Sequence, residues 1–421
     1  MPCRSGGRFR VRRRHRARRG RCGTGPGCPS ETDTNQRHNA ALLMKHHWIP
    51  SWLLLTLTLT PAAFADHPAA AAAGSRPVGA VYTMDNAAGG NHVLAFARHA
   101  DGTLGTPSIV ATGGAGTGDG LGNQGAVVLS RDRRWLFVCN AGSDEISLLT
   151  QTPRGLRLVE TIPSQGHRPI SLAQHGNLLY VLHAGGATGG ADTLTGFLFA
   201  GGQLLHIPGA SYPLSDKNTG PAEVSFTRDG GHLVVTEKAT AIIDTFQVTS
   251  EGLLDEPKMF LSPAPPPFGF AAGRHDRIYV TQAAGGGANP GGSSVSSYEV
   301  TEDGDLEILS ASVPSHQTAA CWLTLSRDER FAYTANTPNA SISLFSVDPH
   351  GGLTLLAPQA ATTGTSGAVD LAESLDGRFL YGLQPGSGSI GIYGVAKHDG
   401  TLTPMPAMVN LPHTVNGLAA W

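Results

Sequence analysis

Charged and aromatic residues are scarce in this chain of 421 residues, at 15% and 6%. So few charges exclude a coiled coil, and no apolar run reaches the roughly 20 residues that a membrane-spanning helix needs. Glycine and proline are plentiful, with 55 and 28 residues, and 40% of the chain is hydrophobic. This combination favours a large core with many turns. The composition therefore predicts an all-β protein.

Acidic residues dominate the chain beyond residue 66, although the formal net charge of the whole is only -2. The basic residues that balance them are concentrated in residues 1–43, which contain eleven arginines. An acidic domain is poorly suited to binding nucleic acid or an anionic membrane surface. We therefore expect no nucleic-acid partner.

The arginine-rich residues 1–43 have two interpretations: a nucleic-acid-binding arm, or translated upstream sequence that is foreign to the natural product. The next segment of the chain favours the second interpretation. Residues 44–47 are a short basic segment that begins with Met44, residues 52–59 are apolar, and residues 63–65 read Ala-Phe-Ala. Those are the three parts of a secretory signal.

We therefore expect four regions. Residues 1–43 are a non-native or disordered leader, 44–65 a signal peptide, 66–77 an alanine-rich linker and 78–421 the folded domain. Such a chain is periplasmic or secreted, and it has no membrane span once the signal is removed.

Few cysteines remain for an exported domain. Three of the five lie in the leader, which leaves Cys139 and Cys321, each inside an apolar, strand-like run. Two buried, unpaired thiols are the favoured interpretation. A nucleophilic cysteine is the alternative, although neither has a base nearby in the sequence.

A repeat runs from residue 78 to the end. One copy has strand-like segments at 125–130, 135–140, 145–149 and 156–162. Between its first two segments lies a Ser-Arg-Asp turn, and similar turns return at 227–229, 326–328 and 374–376. Four short strands per copy predict an antiparallel meander.

The apolar centre of each second strand marks the copies. The markers are Tyr82, Phe137, Tyr180, Val234, Tyr279, Tyr333 and Tyr381. Seven four-stranded units of about 50 residues favour a β-propeller, in which radial repetition protects the sheet edges; an open solenoid is the alternative.

Ring closure is predicted by the C-terminus. Residues 416–421 match the inner-strand pattern of residues 123–128, whereas the first copy has no inner strand of its own. The C-terminal strand would complete the first blade and remove the free edge. The predicted fold is a seven-bladed β-propeller of four-stranded antiparallel blades, closed by the C-terminal strand.

Several local motifs resemble one family. They are the Ser-Arg-Asp turns, the Asn-Ala-Gly-Ser turn at 140–143, the hairpins at 303–306 and 399–402, and the blade-four pair Gly220-Pro221 with Glu237. Over residues 78–421 the chain is similar to the seven-bladed lactonases, which include propeller-type 6-phosphogluconolactonases and carboxy-muconate cyclases.

Propeller geometry gathers polar side chains on one face, because inner strands begin where second strands end. That face collects Gln124, Asn140, His167, His183, Glu223, Glu237, Gln282, His316, Asn336 and Gln384. The Ser-Arg-Asp turns lie on the opposite face and are interpreted as structural.

The resemblance implies a catalytic His, a Glu and two Arg at the channel mouth. His167 and Glu237 match the first two, but Ala222 and Glu223 stand where the family has Arg and His. Without fixed arginines a phosphorylated lactone is disfavoured, and a neutral lactone or polyol-like ligand is expected.

Lactone opening needs a base to activate water and donors for the carbonyl oxygen. Glu237 or His167 is the candidate base, one of the two carboxyls Glu223 and Glu237 is a candidate proton donor, and Arg168 or Gln124 is the candidate carbonyl contact. His183, Gln282 and His316 are further candidate ligand contacts. For each of these residues a purely structural role is the alternative.

We expect no cofactor. A metal held by His167, Glu223, Glu237 and His316 has no short ligand spacing to support it. The sequence thus predicts an exported, monomeric lactonase-like hydrolase acting on a small lactone or sugar-like molecule by acid/base catalysis. The alternative is a non-catalytic propeller that binds a carbohydrate or a partner protein.

Overall fold

The computed structural model describes residues 76–285, 289–364 and 367–421. The predicted leader, the signal peptide and residues 66–75 of the linker lie outside the described residues. The described chain forms seven four-stranded antiparallel sheets arranged as the blades of a propeller. The predicted all-β fold, with its seven blades, is confirmed.

Each blade has an inner strand, a second strand, a third strand and an outer strand. From blade 1 to blade 7, the inner strands are β28 (Asn416–Ala420), β4 (Val127–Leu129), β8 (Pro169–His175), β12 (Pro221–Phe226), β16 (Pro267–Ala272), β20 (Ala320–Leu325) and β24 (Leu371–Glu373). The second strands are β1 (Gly79–Met84), β5 (Trp135–Asn140), β9 (Leu178–Ala184), β13 (His232–Glu237), β17 (Arg277–Gln282), β21 (Phe331–Asn336) and β25 (Phe379–Gln384).

The third and outer strands continue each meander outward. The third strands are β2 (His92–Arg98), β6 (Glu145–Thr152), β10 (Asp192–Ala200), β14 (Ile242–Gln247), β18 (Ser294–Val300), β22 (Ser341–Val347) and β26 (Ser389–Val395). The outer strands are β3 (Ser108–Ala111), β7 (Gly155–Pro163), β11 (Gln203–Pro213), β15 (Lys258–Leu261), β19 (Leu306–Pro314), β23 (Leu353–Thr362) and β27 (Leu402–Val409).

The C-terminal strand closes the ring as predicted. β28 pairs antiparallel with β1, and Ala419 lies opposite Tyr82. Arg98, which is buried, adds a bond from its Nε to the carbonyl oxygen of Trp421, at 2.9 Å. The first and last segments of the propeller are thereby held in one sheet, and the inner edge of β1 is paired.

Tyrosines at the second-strand centres join neighbouring blades. The hydroxyl of Tyr180 donates to the carbonyl of Gly252, at 2.6 Å, and that of Tyr381 to the carbonyl of Gly102, at 3.0 Å. Both glycines have positive φ and lie in a hairpin of the next blade. The rings themselves are buried, so the marker positions found in the sequence are the packing centres of the blades.

Most inner strands contain an irregularity near their start, which releases backbone N–H groups from the ladder. Side chains of the preceding blade accept hydrogen bonds from some of these groups. The bonds are Val224 N to Ser171 Oγ (3.1 Å), Phe270 N to Glu223 Oε2 (2.6 Å) and Leu418 N to Asp370 Oδ2 (2.9 Å). Polar side chains along the channel thus connect one blade to the next.

The two cysteines of the domain are unpaired, as predicted. Cys139 is buried in β5, and Cys321 is partly buried at the start of β20. Across the residues with described positions, no helix has the length and hydrophobicity that crossing a bilayer requires.

Candidate active site

The central channel has two ends. We call the end where the inner strands begin the upper mouth, and the end with the Ser-Arg-Asp turns the lower mouth. Gln124 separates them: its Nε2 donates to the carbonyl of Leu323 at 2.9 Å, and its Oε1 accepts from the Leu323 N–H at 3.1 Å. Blades 2 and 6 are not neighbours, so this side chain spans the channel. Its amide is occupied by backbone groups.

The upper mouth is covered by the segment at residues 121–124, which precedes β4. Lys238 donates from Nζ to the carbonyl of Gly122, at 2.6 Å. Trp322 donates from Nε1 to the carbonyl of Asn123, at 2.7 Å. The segment is thus fixed to blades 4 and 6, and these contacts hold Lys238 at the rim.

His167 and Asp144 form a pair at this end of blade 3. Nδ1 of His167 lies 2.8 Å from Oδ2 of Asp144, and the backbone N–H of Arg168 donates to Oδ1 at 2.7 Å. A carboxylate only accepts, so this contact assigns the proton to Nδ1. Nε2 is then left as an acceptor on a side chain that is 70% exposed. This is the arrangement that a histidine base needs.

Asp144 was not predicted from the sequence. It lies in the turn between β5 and β6, directly after the Asn-Ala-Gly-Ser motif, and has a φ of 57°. Asp tolerates this left-handed conformation better than most residues, which places its carboxylate beneath the following blade. In the sequence, the indication of this role is an acidic residue that directly follows the Asn-Ala-Gly-Ser turn.

Two cations lie at the rim of the upper mouth. Arg168 is the next residue in the chain, and its buried Nε has no hydrogen-bond partner within the described structure. Lys238, also missed in the sequence, lies 4.8 Å from the ring centroid of Phe268. Burial lowers the pKa of Lys238 to about 8, and the positive charge of Arg168 contributes to this lowering. The rim therefore carries positive charge, which is the kind of charge that stabilises a developing oxyanion.

Glu237, the other candidate base, is fully buried at the end of β13. Its carboxylate accepts hydrogen bonds from the Ser215 backbone N–H (3.0 Å), the Thr240 hydroxyl (2.5 Å) and the Ser215 hydroxyl. Among the described residues no hydrogen bond links it to His167. The structure does not bring the two candidate bases together.

The orientation of Glu237 follows from its position in the blade. The equivalent last residues of β5 and β21 are Asn140 and Asn336, which are also buried. Each donates to a serine of its third strand, at 2.7 and 2.8 Å. Blade 4 has Asp244 at the position of that serine, so two carboxyl groups meet there.

Burial acts strongly on the carboxyl group of Asp244. Burial raises the pKa of Asp244 to about 9, and the neighbouring charge of Glu237 contributes to this rise. Neither oxygen of Asp244 meets a donor group in the described chain. The protonated form of Asp244 is the one that this burial favours.

Glu223 lies below Gln124, on the side of the lower mouth. It is buried and accepts the Phe270 N–H bond described above. Burial, with a smaller contribution from the carboxyl of Asp370, raises the pKa of Glu223 well above its ordinary value. It does not share a site with His167.

The remaining candidates occupy three different environments. His183 is buried, donates from Nδ1 to the Thr193 carbonyl at 3.3 Å, and has its pKa lowered to about 4, mainly by burial. Gln282 is buried and donates to the Ser296 hydroxyl at 2.7 Å. His316 is exposed. In the described part of the chain, no three His, Cys, Asp or Glu side chains are grouped to hold a metal ion.

Solved structures similar to this one share its fold. A protein from Bacteroides fragilis, provisionally described as a 6-phosphogluconolactonase, is 18% identical with a TM-score of 0.62, covering 82% of this chain and 98% of its own. The periplasmic gluconolactonase of Pseudomonas aeruginosa is 16% identical with a TM-score of 0.61, covering 81% and 99%. No curated protein matches the sequence.

The family of the chain is assigned by a family model, because structures of such low sequence identity show only the fold. The model described as "Lactonase, 7-bladed beta-propeller" matches residues 86–188 and 234–369, which is more than half of the chain. The matched ranges include the His167–Asp144 pair and Lys238. The chain belongs to the lactonase family of seven-bladed β-propellers.

Proposed function

We propose that this protein hydrolyses a lactone at the upper mouth, with His167 as the general base. The observation that carries the proposal is the 2.8 Å contact between His167 and Asp144, which leaves Nε2 free on an exposed ring. Membership of the lactonase family supports the reaction class.

In the proposed reaction, Nε2 of His167 takes a proton from water as the water oxygen bonds to the lactone carbonyl carbon. The carbonyl oxygen becomes an oxyanion, which the charges of Arg168 and Lys238 stabilise. When the intermediate collapses, the bond from the carbonyl carbon to the ring oxygen breaks and the imidazolium returns its proton to that oxygen. The product is a hydroxy acid, and His167 is regenerated.

The proposed substrate is a neutral, sugar-derived lactone. Similar solved structures are described as acting on gluconolactone or its 6-phosphate, which suggests an aldonolactone here. The positions where the family has an Arg and a His hold Ala222 and Glu223 in this chain, so a dedicated phosphate contact is missing there.

Glu237 and Glu223 have structural roles in this proposal. Each is buried and bound by backbone N–H groups, and Glu237 by hydroxyls as well. A general base must reach water or the proton it removes within about 3 Å. His167 meets this requirement without any rearrangement.

The test is hydrolysis of D-glucono-1,5-lactone, its 6-phosphate and γ-butyrolactone, corrected for the uncatalysed rate. We expect the first to be the best substrate and His167→Ala to lower kcat/KM by at least about 100-fold. His398→Ala is the matched control, because His398 is also exposed and lies 2.9 Å from a carboxylate, in a hairpin of blade 7.

Unchanged hydrolysis in His167→Ala would overturn the assigned base. If the unmutated protein hydrolyses none of the three compounds but binds gluconate, the non-catalytic, carbohydrate-binding alternative is favoured.

We also propose that the protein acts outside the cytoplasm. The predicted signal at residues 44–65 supports this, and a similar solved structure is described as periplasmic. Mass spectrometry of the exported protein should find an N-terminus at or near Asp66. An exported chain that still begins at Met1 would contradict the predicted processing.

A further inference from the structure

The lower mouth of the channel opens into a cavity of about 810 Å³. Sites for small molecules in proteins commonly have volumes of roughly 300–1,000 Å³. Four arginines line this cavity: Arg131, Arg133, Arg228 and Arg327. Glu223 is the one acidic side chain among the described residues that line it. The wall is therefore strongly positive in a domain that is acidic overall.

Three of these arginines come from the repeated turn between the inner and second strands. In each turn a Ser or Thr hydroxyl donates to an Asp two residues later. The distances are 2.6 Å for Ser130–Asp132, 2.7 Å for Thr227–Asp229, 2.9 Å for Ser326–Asp328 and 2.6 Å for Ser374–Asp376. The Asp also accepts a backbone N–H from the far side of the turn. The first and third residues therefore build the turn.

The middle residue of the turn has no part in these hydrogen bonds. All four middle residues line the cavity: Arg131, Arg228, Arg327 and Leu375. The leucine in blade 7 shows that the turn forms without arginine at this position. The arginines in the other three blades therefore need an explanation other than folding of the turn.

A salt bridge explains the presence of arginine in only one of these three turns. Arg228 lies 2.5 Å from Glu329. The other arginines that form salt bridges in the described chain are Arg98, Arg274, Arg277 and Arg330. Arg131 and Arg327 thus line the cavity without forming a salt bridge to any described residue, and the guanidinium of Arg133 lies over the ring of Trp421, 5.7 Å from its centroid.

We propose that the lower mouth binds a small organic polyanion, a polycarboxylate or a phosphate ester with at least two negative charges. Guanidinium groups bind carboxylate and phosphate oxygens through paired, charge-assisted hydrogen bonds. Three turns present such groups around one cavity, so an anion with several acidic groups can contact more than one blade at once. This site is separate from the upper mouth, because Gln124 spans the channel between them.

Isothermal titration calorimetry of the intact domain with citrate and with inorganic pyrophosphate tests the proposal. We expect one bound anion per chain, with gluconate binding at least about tenfold more weakly. Arg131→Gln and Arg327→Gln should each weaken binding by about tenfold, through loss of one charge-assisted contact. Arg134→Gln is the matched control: it lies in the same turn as Arg131, is exposed, and does not line the cavity.

The two probes distinguish the sources of the anion. Tighter binding of citrate identifies a polycarboxylate site, and tighter binding of pyrophosphate a phosphate site. The proposal is overturned if neither anion binds, if gluconate binds as tightly as both, or if Arg134→Gln weakens binding as much as Arg131→Gln. Thermal unfolding of each variant verifies that its fold is retained.

Discussion

The two mouths of one channel are built by different means. The lower mouth contains four copies of a single turn, so part of its chemistry repeats: three of the four middle residues are arginine. The upper mouth is made of unlike loops, and its chemistry occurs once, with His167, Asp144, Arg168 and Lys238 in blades 2 to 4.

This difference separates two kinds of site. Repeated side chains of one charge can hold an anion but supply no proton donor and acceptor in defined positions. A single histidine fixed by a carboxylate can move protons. Hydrolysis is therefore assigned to the irregular end of the channel and anion binding to the regular end.

The largest effect is expected from Asp144→Asn. Loss of the carboxylate removes the partner that fixes the His167 tautomer, so kcat should fall by about 100-fold with KM nearly unchanged, since general acid–base catalysis contributes about 10²–10⁴. Steady-state kinetics on D-glucono-1,5-lactone measure this. The control is Asp399→Asn, which removes the partner of the remote His398. Equal kinetics in both variants would show that Asp144 does not position the base.

Lys238→Met should lower kcat/KM by about tenfold at pH 7, through loss of one charge near the oxyanion. The unmutated protein should also lose activity as pH rises through about 8, where Lys238 gives up its proton, and the variant should lack this step. Lys258→Met, which removes an exposed lysine of a surface ion pair, is the control. An unaltered alkaline limb in Lys238→Met would exclude a role for its charge.

Gln124→Leu tests the barrier between the mouths. This change removes three hydrogen bonds of its amide, two with the Leu323 backbone and one to the Phe270 carbonyl at 3.2 Å. The free energy of unfolding should therefore fall by about 3 kcal/mol, at roughly 1 kcal/mol per bond. Urea denaturation, with Gln203→Leu on an exposed position as control, measures the loss. A loss no greater than that of the control would mean that Gln124 does not hold the blades together.

A smaller effect is expected from Asp244→Asn, and it appears as a change in pH dependence. The folded protein keeps a proton on Asp244 up to about pH 9, whereas the unfolded chain loses it near pH 4. Raising the pH between these values therefore favours the unfolded state. The unmutated protein should lose stability relative to Asp244→Asn by about 1 kcal/mol per pH unit between pH 6 and 8.

Denaturation of both proteins across this pH range measures the difference, and Asp255→Asn at an exposed position should leave it unchanged. A constant difference between Asp244→Asn and the unmutated protein would mean that Asp244 is ionised in the fold. The protonated state inferred for Asp244 would then be wrong.

The sequence was sufficient for the fold because the repeat is local. Every blade contains its own four strands, and the match between residues 416–421 and an inner strand predicted the closing pair with β1, which the structure confirms. It also placed His167 near a strand start, where the structure has it.

The site was harder to predict because knowing which residue ends a strand does not show which way its side chain points. Glu237 and Asn140 end equivalent strands, and both side chains are buried away from solvent. Asp144 lies 23 residues from His167 in another blade, so only the fold joins them. The turns were interpreted as wholly structural because Ser, Arg and Asp recur together, although only the first and third residues form the turn.

The most direct test of the division between the mouths is one crystal structure of the protein soaked with gluconate and citrate together. We expect gluconate at the upper mouth, within hydrogen-bonding distance of His167 Nε2 and the Arg168 guanidinium, and citrate in the cavity beside Arg131 and Arg327. Gluconate bound only among the lower arginines, with the His167 ring left without a ligand, would contradict it.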